Sequence, residues 1–101
     1  MSIKGSSYAR FRRALLSGNM TIIEGAAREL PQIALEDALR ILVVMARQHD
    51  DRYPRAAAKW AARVTTERRM SVEQARHVLG LVELLPEAPD ALEPILRRAC
   101  G

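Results

Sequence analysis

The stretch Arg52-Tyr53-Pro54-Arg55-Ala56-Ala57-Ala58-Lys59-Trp60-Ala61-Ala62-Arg63-Val64 decides the reading of this chain. Its residue types favour helix, and its spacing divides that helix into two faces. Tyr53, Ala57, Trp60, Ala61 and Val64 share one side, as a core-facing stripe requires. Arg52, Arg55, Lys59 and Arg63 recur at i, i+3, i+7 and i+11, within an arc of roughly 80°. Pro54 falls in the first turn, where its missing N–H costs little. The segment therefore predicts an amphipathic helix with an indole turned inward and a row of cations along its flank.

The same logic extends in both directions. Ser6 or Ser7 can cap a first helix that ends at Gly18-Asn19, with Tyr8, Phe11 and Leu15 on one face. Thr21-Ile22-Ile23-Glu24 has the capping-box pattern and predicts the start of a second helix. That helix carries Ile22, Ile23, Ala26, Ala27 and Leu30, and Pro31 stops it. A third helix over 35–49 is apolar on every side from Ile41 to Ala46 and reads as the central, buried helix. Asp50 or Asp51 can cap the fourth. Ser71-Val72-Glu73-Gln74 is a further capping box. It opens a fifth helix with Val72, Ala75, Val78, Leu79 and Val82 on one face, and Leu81 and Leu84 pointing elsewhere. Pro86, Pro89 and Pro94 punctuate the end, where a short last helix can turn Leu92, Ile95, Leu96 and Ala99 inward. The expectation is an all-α fold: one domain over 1–101, a compact bundle of about six short helices.

Leu35-Glu36-x-Ala38-x-x-Ile41-Leu42 echoes Val72-Glu73-x-Ala75-x-x-Val78-Leu79, 37 positions later. That period is near those of helix-hairpin repeats. Lys4-Gly5-Ser6-Ser7-Tyr8-Ala9-Arg10-Phe11-Arg12-Arg13-Ala14-Leu15, with Ser17-Gly18-Asn19 and Glu29-Leu30-Pro31, resembles the opening of small all-helical actinobacterial proteins that have no assigned activity. The resemblance implies a bacterial helical domain and transfers no functional residue.

Composition limits the function classes. The 101 residues are 49% hydrophobic and 28% charged, ordinary for a globular protein. Formal net charge is +4. The excess is concentrated: six cations and one acid lie between Arg52 and Arg69, and Lys4, Arg10, Arg12 and Arg13 precede any acid. Cys100 is the only cysteine, so neither an intrachain disulfide nor a thiolate metal cluster is expected. The longest apolar run is too short for a bilayer, and the first residues lack a signal-peptide core. A cytoplasmic setting is expected.

No chemistry-bearing constellation stands out. His49, Asp50 and Asp51 suit the dipoles of a helix junction better than convergence on one ion. Glu73 and His77 are spaced as an exposed i,i+4 pair. No serine has a nucleophile-elbow context, and no glycine-rich phosphate loop exists. The chain reads as a non-enzyme without a cofactor. Two functions remain. The first is a protein-interaction module, self-associating as a homodimer in its simplest form, with Leu81 and Leu84 in the contact. The second is nucleic-acid binding through Arg52, Arg55, Lys59 and Arg63, helped by Arg10 and Arg13. Four phosphate contacts would give a log–log salt slope of about −3.6 on duplex DNA.

Overall fold

A computed structural model of the chain describes the backbone over 3–101 and the side chains from Ser6 onward. The side chain of Lys4 lies outside the described residues. The elements in order are α1 (Ile3–Ser17), α2 (Met20–Ala27), α3 (Leu35–Arg47), α4 (Tyr53–Glu67), α5 (Val72–Leu84), a 3-10 turn (Leu85–Glu87) and α6 (Pro89–Cys100). The fold is all-α with six helices, as the periodicity predicts. The described residues contain no strand. Contacts divide the chain into two compact units, Met1–Ala34 and Leu35–Gly101.

The first unit is the α1–α2 hairpin. Ser6 and Ser7 lie inside α1, and Ser7 is buried, so neither caps it. Gly18 ends α1 with φ 67°, a conformation that costs glycine little. Asn19 then caps α2, its side chain accepting from the N–H groups of Thr21 and Ile22 at 3.0 and 3.3 Å. The Thr21–Glu24 box is thus displaced by an equally good cap two residues earlier. The gain is two N-terminal residues, Met20 and Thr21, and Met20 is buried with Phe11, Ala14, Ile23 and Ala26. Ile22 is half exposed instead of buried. The Arg10 guanidinium pairs with Glu29 across the hairpin. Arg12 lies over the Tyr8 ring, 5.9 Å from its centroid.

The second unit is a ring of four helices. α3 packs on α4, α4 on α5, α5 on α6, and α6 returns to α3. α3 contributes the longest buried set: Leu35, Asp37, Leu39, Leu42, Val43, Met45 and Ala46. The buried Asp37 carboxylate pairs with Arg40 at 2.8 Å in the first turn of that helix. α4 contributes Tyr53, Ala57, Trp60, Ala61 and Val64, the stripe read from the spacing. α5 adds Val78 and Val82, the 3-10 turn adds Leu85, and α6 adds Leu96. Ion pairs tie α3 to α6 at both ends, Glu36 with Arg97 and Arg47 with Asp90.

α3 and α4 end in the same way. His49 and Arg69 adopt φ 50°. In each case its own N–H and the next one close on carbonyls of the last turn: His49 on Ala46 and Asp50 on Met45, Arg69 on Thr66 and Met70 on Thr65. This is the Schellman pattern, which normally places glycine in the left-handed position. A side chain there is strained by about 1 kcal/mol. Arg69→Gly is therefore expected to stabilise the protein by about 0.5–1 kcal/mol, and Arg69→Ala, which removes the stem and charge but keeps the Cβ, is expected to leave it unchanged. Urea unfolding followed by Trp60 fluorescence measures both.

Candidate interaction surface

The cation row does not survive intact as a free surface. Arg52 sits just before α4, and its guanidinium pairs with Asp50 at 2.9 Å. That contact holds the Asp50 carboxyl below its ordinary pKa, through side-chain and then backbone hydrogen bonds from Arg52. Arg63 pairs with Glu67 one turn on, at 2.8 Å. Arg55 and Lys59 are exposed and make no ion pair among the described residues. In the hairpin unit, Arg10 is taken by Glu29, and Arg13 is exposed beside a shallow groove floored by Ala14, Gly25 and Ala26.

Two buried hydrogen bonds determine which way α4 faces. The Trp60 indole N–H donates to the Leu35 carbonyl on α3 at 2.9 Å. The Tyr53 hydroxyl donates to the Val82 carbonyl on α5 at 2.5 Å. Trp60 is only 3% exposed, which removes it as a stacking platform for a base. With α4 rotated this way, Ala57 and Ala58 face α5. Small side chains there leave an apolar groove of about 400 Å3 between the two helices. Leu79 and Val82 form the α5 wall, Tyr53 and Pro54 the far end, and Pro86 and Glu83 the lip.

α5 departs most from the sequence reading. Only Val78 and Val82 of its apolar row are buried. Val72 is 69% exposed and Leu79 43% exposed. Together with Arg76, Gly80 and Glu83 they form one solvent-facing stripe, within an arc of roughly 100°. Leu84 is 54% exposed and borders this stripe. Leu81 is half-buried on the flank toward α6, where Gln74, His77 and Ala99 line a shallow groove. The groove and the stripe were missed in the sequence because periodicity alone assigns Val72 and Leu79 to the buried row. The pair Ala57-Ala58 was the available signal, since two small residues cannot fill the space opposite Leu79.

The remaining polar candidates are structural. His49 occupies the left-handed position after α3, and Asp50 accepts the Arg52 N–H at 2.9 Å before α4. Glu73 and His77 are both exposed but do not pair among the described residues. The Cys100 thiol donates to the Leu96 carbonyl, and burial, reinforced by Glu36, raises its pKa. Among the described residues no group of three His, Cys, Asp or Glu could hold a metal ion. None of their helices is long and apolar enough to cross a membrane. No known protein family matches the chain, no curated protein is significantly similar to it, and no solved structure matches it.

Burial raises the pKa of Tyr53 to about 12, from an ordinary value of 10.0. A raised folded-state value contributes stability below the unfolded pKa and loses it as pH climbs through the folded one. Tyr53→Phe is expected to cost about 1 kcal/mol at neutral pH, since the Leu85 N–H still satisfies the Val82 carbonyl. The gap between the two proteins is expected to close near about pH 11 and to reverse toward about pH 12, because a rise from 10.0 to about 12 outweighs about 1 kcal/mol and only the wild type must keep a buried phenol protonated. Urea midpoints across that range check the sign.

Proposed function

We propose that this chain is a small, non-enzymatic helical interaction module that associates with itself or with a protein partner through the solvent face of α5. The observation that carries this reading is the exposure of Val72, Leu79 and Leu84 on one helix whose other face already packs Val78 and Val82 into the core. A surface helix ordinarily turns its apolar residues inward and its polar residues out. α5 is apolar on both sides, and contiguous exposed apolar surface commonly marks a contact site. The groove beside Leu79 extends that surface toward α4. Leu84, singled out by the sequence, belongs to this contact; Leu81 supports it from the α6 flank. The module needs no cofactor. A cytoplasmic setting belongs to the same reading, with Cys100 kept as a thiol.

A second reading, binding to nucleic acid, rests on Arg55 and Lys59, the two members of the row with no ion pair among the described residues. With Arg52 and Arg63 already partnered by carboxylates, two phosphate contacts remain. The salt slope on duplex DNA then falls to about −1.8, half of what the intact row implied. Such binding would be shallow and without base preference.

Size-exclusion chromatography with light scattering separates the two readings. The interaction module is expected to elute above its monomer mass at micromolar concentration, and Leu84→Asp is expected to reduce that mass. Added duplex DNA at low salt is expected to leave the elution volume unchanged. A strict monomer that co-elutes with DNA, and loses it on an Arg55→Glu, Lys59→Glu double change, would reverse the order of preference.

A further inference from the structure

We infer that the second partner for α5 is α5 of another copy of this chain, packed antiparallel about a two-fold axis at Leu79 and Gly80. This inference rests on the interaction-module reading and specifies its partner.

The exposed stripe is self-complementary. Arg76 stands three residues before Leu79, and Glu83 stands three residues after Gly80. Both side chains are exposed, both lie on the stripe, and neither makes an ion pair or hydrogen bond among the described residues. In an antiparallel pair of helices, a residue a given distance before the centre meets the residue the same distance after it. Centring the pair on Leu79–Gly80 therefore sets Arg76 of each copy against Glu83 of the other, and makes the match twice. An isologous interface requires this kind of match, because one patch must serve as both halves of the contact. The opposite, parallel arrangement would set Arg76 on Arg76 and Glu83 on Glu83, which like-charge repulsion disfavours.

The centre of the stripe suits close approach. Gly80 is exposed, and a Cβ placed on it would meet no atom of a neighbouring element within 4 Å. A helix can settle there without meeting a side chain, and the two Leu79 side chains flank the axis as the apolar centre. Val72 of one copy comes level with Pro86 and Glu87 of the other, at the lip of the apolar groove. The most exposed apolar residue of α5 thus gains an apolar neighbour. One helix face on another is a small interface, so association on the order of micromolar to tens of micromolar is expected.

Charge exchange tests this arrangement directly. Arg76→Glu places two acids opposite each other at both ends of the contact, and Glu83→Arg places two cations there. Each single variant is expected to weaken dimerisation by about tenfold or more in sedimentation equilibrium. An equimolar mixture of the two is expected to dimerise as well as the wild type, because each heterodimer restores both opposite-charge pairs. The Arg76→Glu, Glu83→Arg double variant is expected to recover as a homodimer. Both substitutions are on the solvent face, and circular dichroism confirms that the variants remain helical. If the wild type dimerises but the single variants do so equally well, or the mixture fails to recover, the two-fold α5 arrangement is wrong while self-association stands. If the wild type is monomeric throughout, self-association itself is wrong and the α5 pairing falls with it.

Discussion

The rotation of α4 about its own axis is the constraint on which the larger unit depends. Two aromatic donors set it. The Trp60 indole N–H reaches the Leu35 carbonyl on α3, and the Tyr53 hydroxyl reaches the Val82 carbonyl on α5. Both donors are buried, and an unmet buried donor costs more than a typical hydrogen bond contributes. α4 therefore cannot roll without breaking at least one of them. With the roll fixed, Ala57 and Ala61 pack inward, Arg55 and Lys59 point to water, and Ala58 faces α5 across an unfilled space. The groove, the isolated cations and the exposed wall of α5 all descend from those two bonds.

Much of the fold was legible because its signals are local. Pro54 marks the first turn of α4, and Ser71 with Gln74 forms the reciprocal cap before α5 at 3.1 and 2.9 Å. The inward row of α4 needed only the helical period. The misses have physical causes of their own. Two capping signals competed before α2, and Asn19 prevailed over Thr21 because it also brings Met20 into the buried set. On α5, Ala75, Val78 and Val82 lie near the centre of the buried face, while Val72 and Leu79 lie toward its edge. Which edge a neighbouring helix covers is a tertiary matter that periodicity does not encode. The partners of the basic row were half readable: Arg63 and Glu67 are spaced as an i,i+4 pair in the sequence itself. Arg47 with Asp90 joins residues far apart in the chain and has no sequence signal.

Function follows from what the fold leaves uncovered. Three acids of α3 and the junction after it are consumed internally: Asp37 on Arg40, Asp50 on Arg52 and Glu36 on Arg97. Every buried side-chain nitrogen or oxygen among the described residues has a hydrogen-bond partner. No buried polar group there is left waiting for a ligand. What remains is surface, and its most unusual part is a helix with leucine and valine on its wet side, where Arg76 and Glu83 flank Leu79 and make no ion pair among the described residues. An interaction module that recognises its own copy accounts for those features together. The cation row, once Arg52 and Arg63 are spent, accounts for fewer.

The central claim is that α5 turns its solvent face toward a second copy of itself. A dilution series of amide 15N–1H spectra tests it residue by residue. Concentration-dependent shifts are expected only over the span from Val72 to Glu87, largest at Arg76, Leu79, Gly80 and Glu83, with the α1–α2 hairpin unmoved. Spectra that stay constant on dilution, or shifts centred on Arg10 and Arg13 or on Arg55 and Lys59 with α5 unmoved, would contradict it.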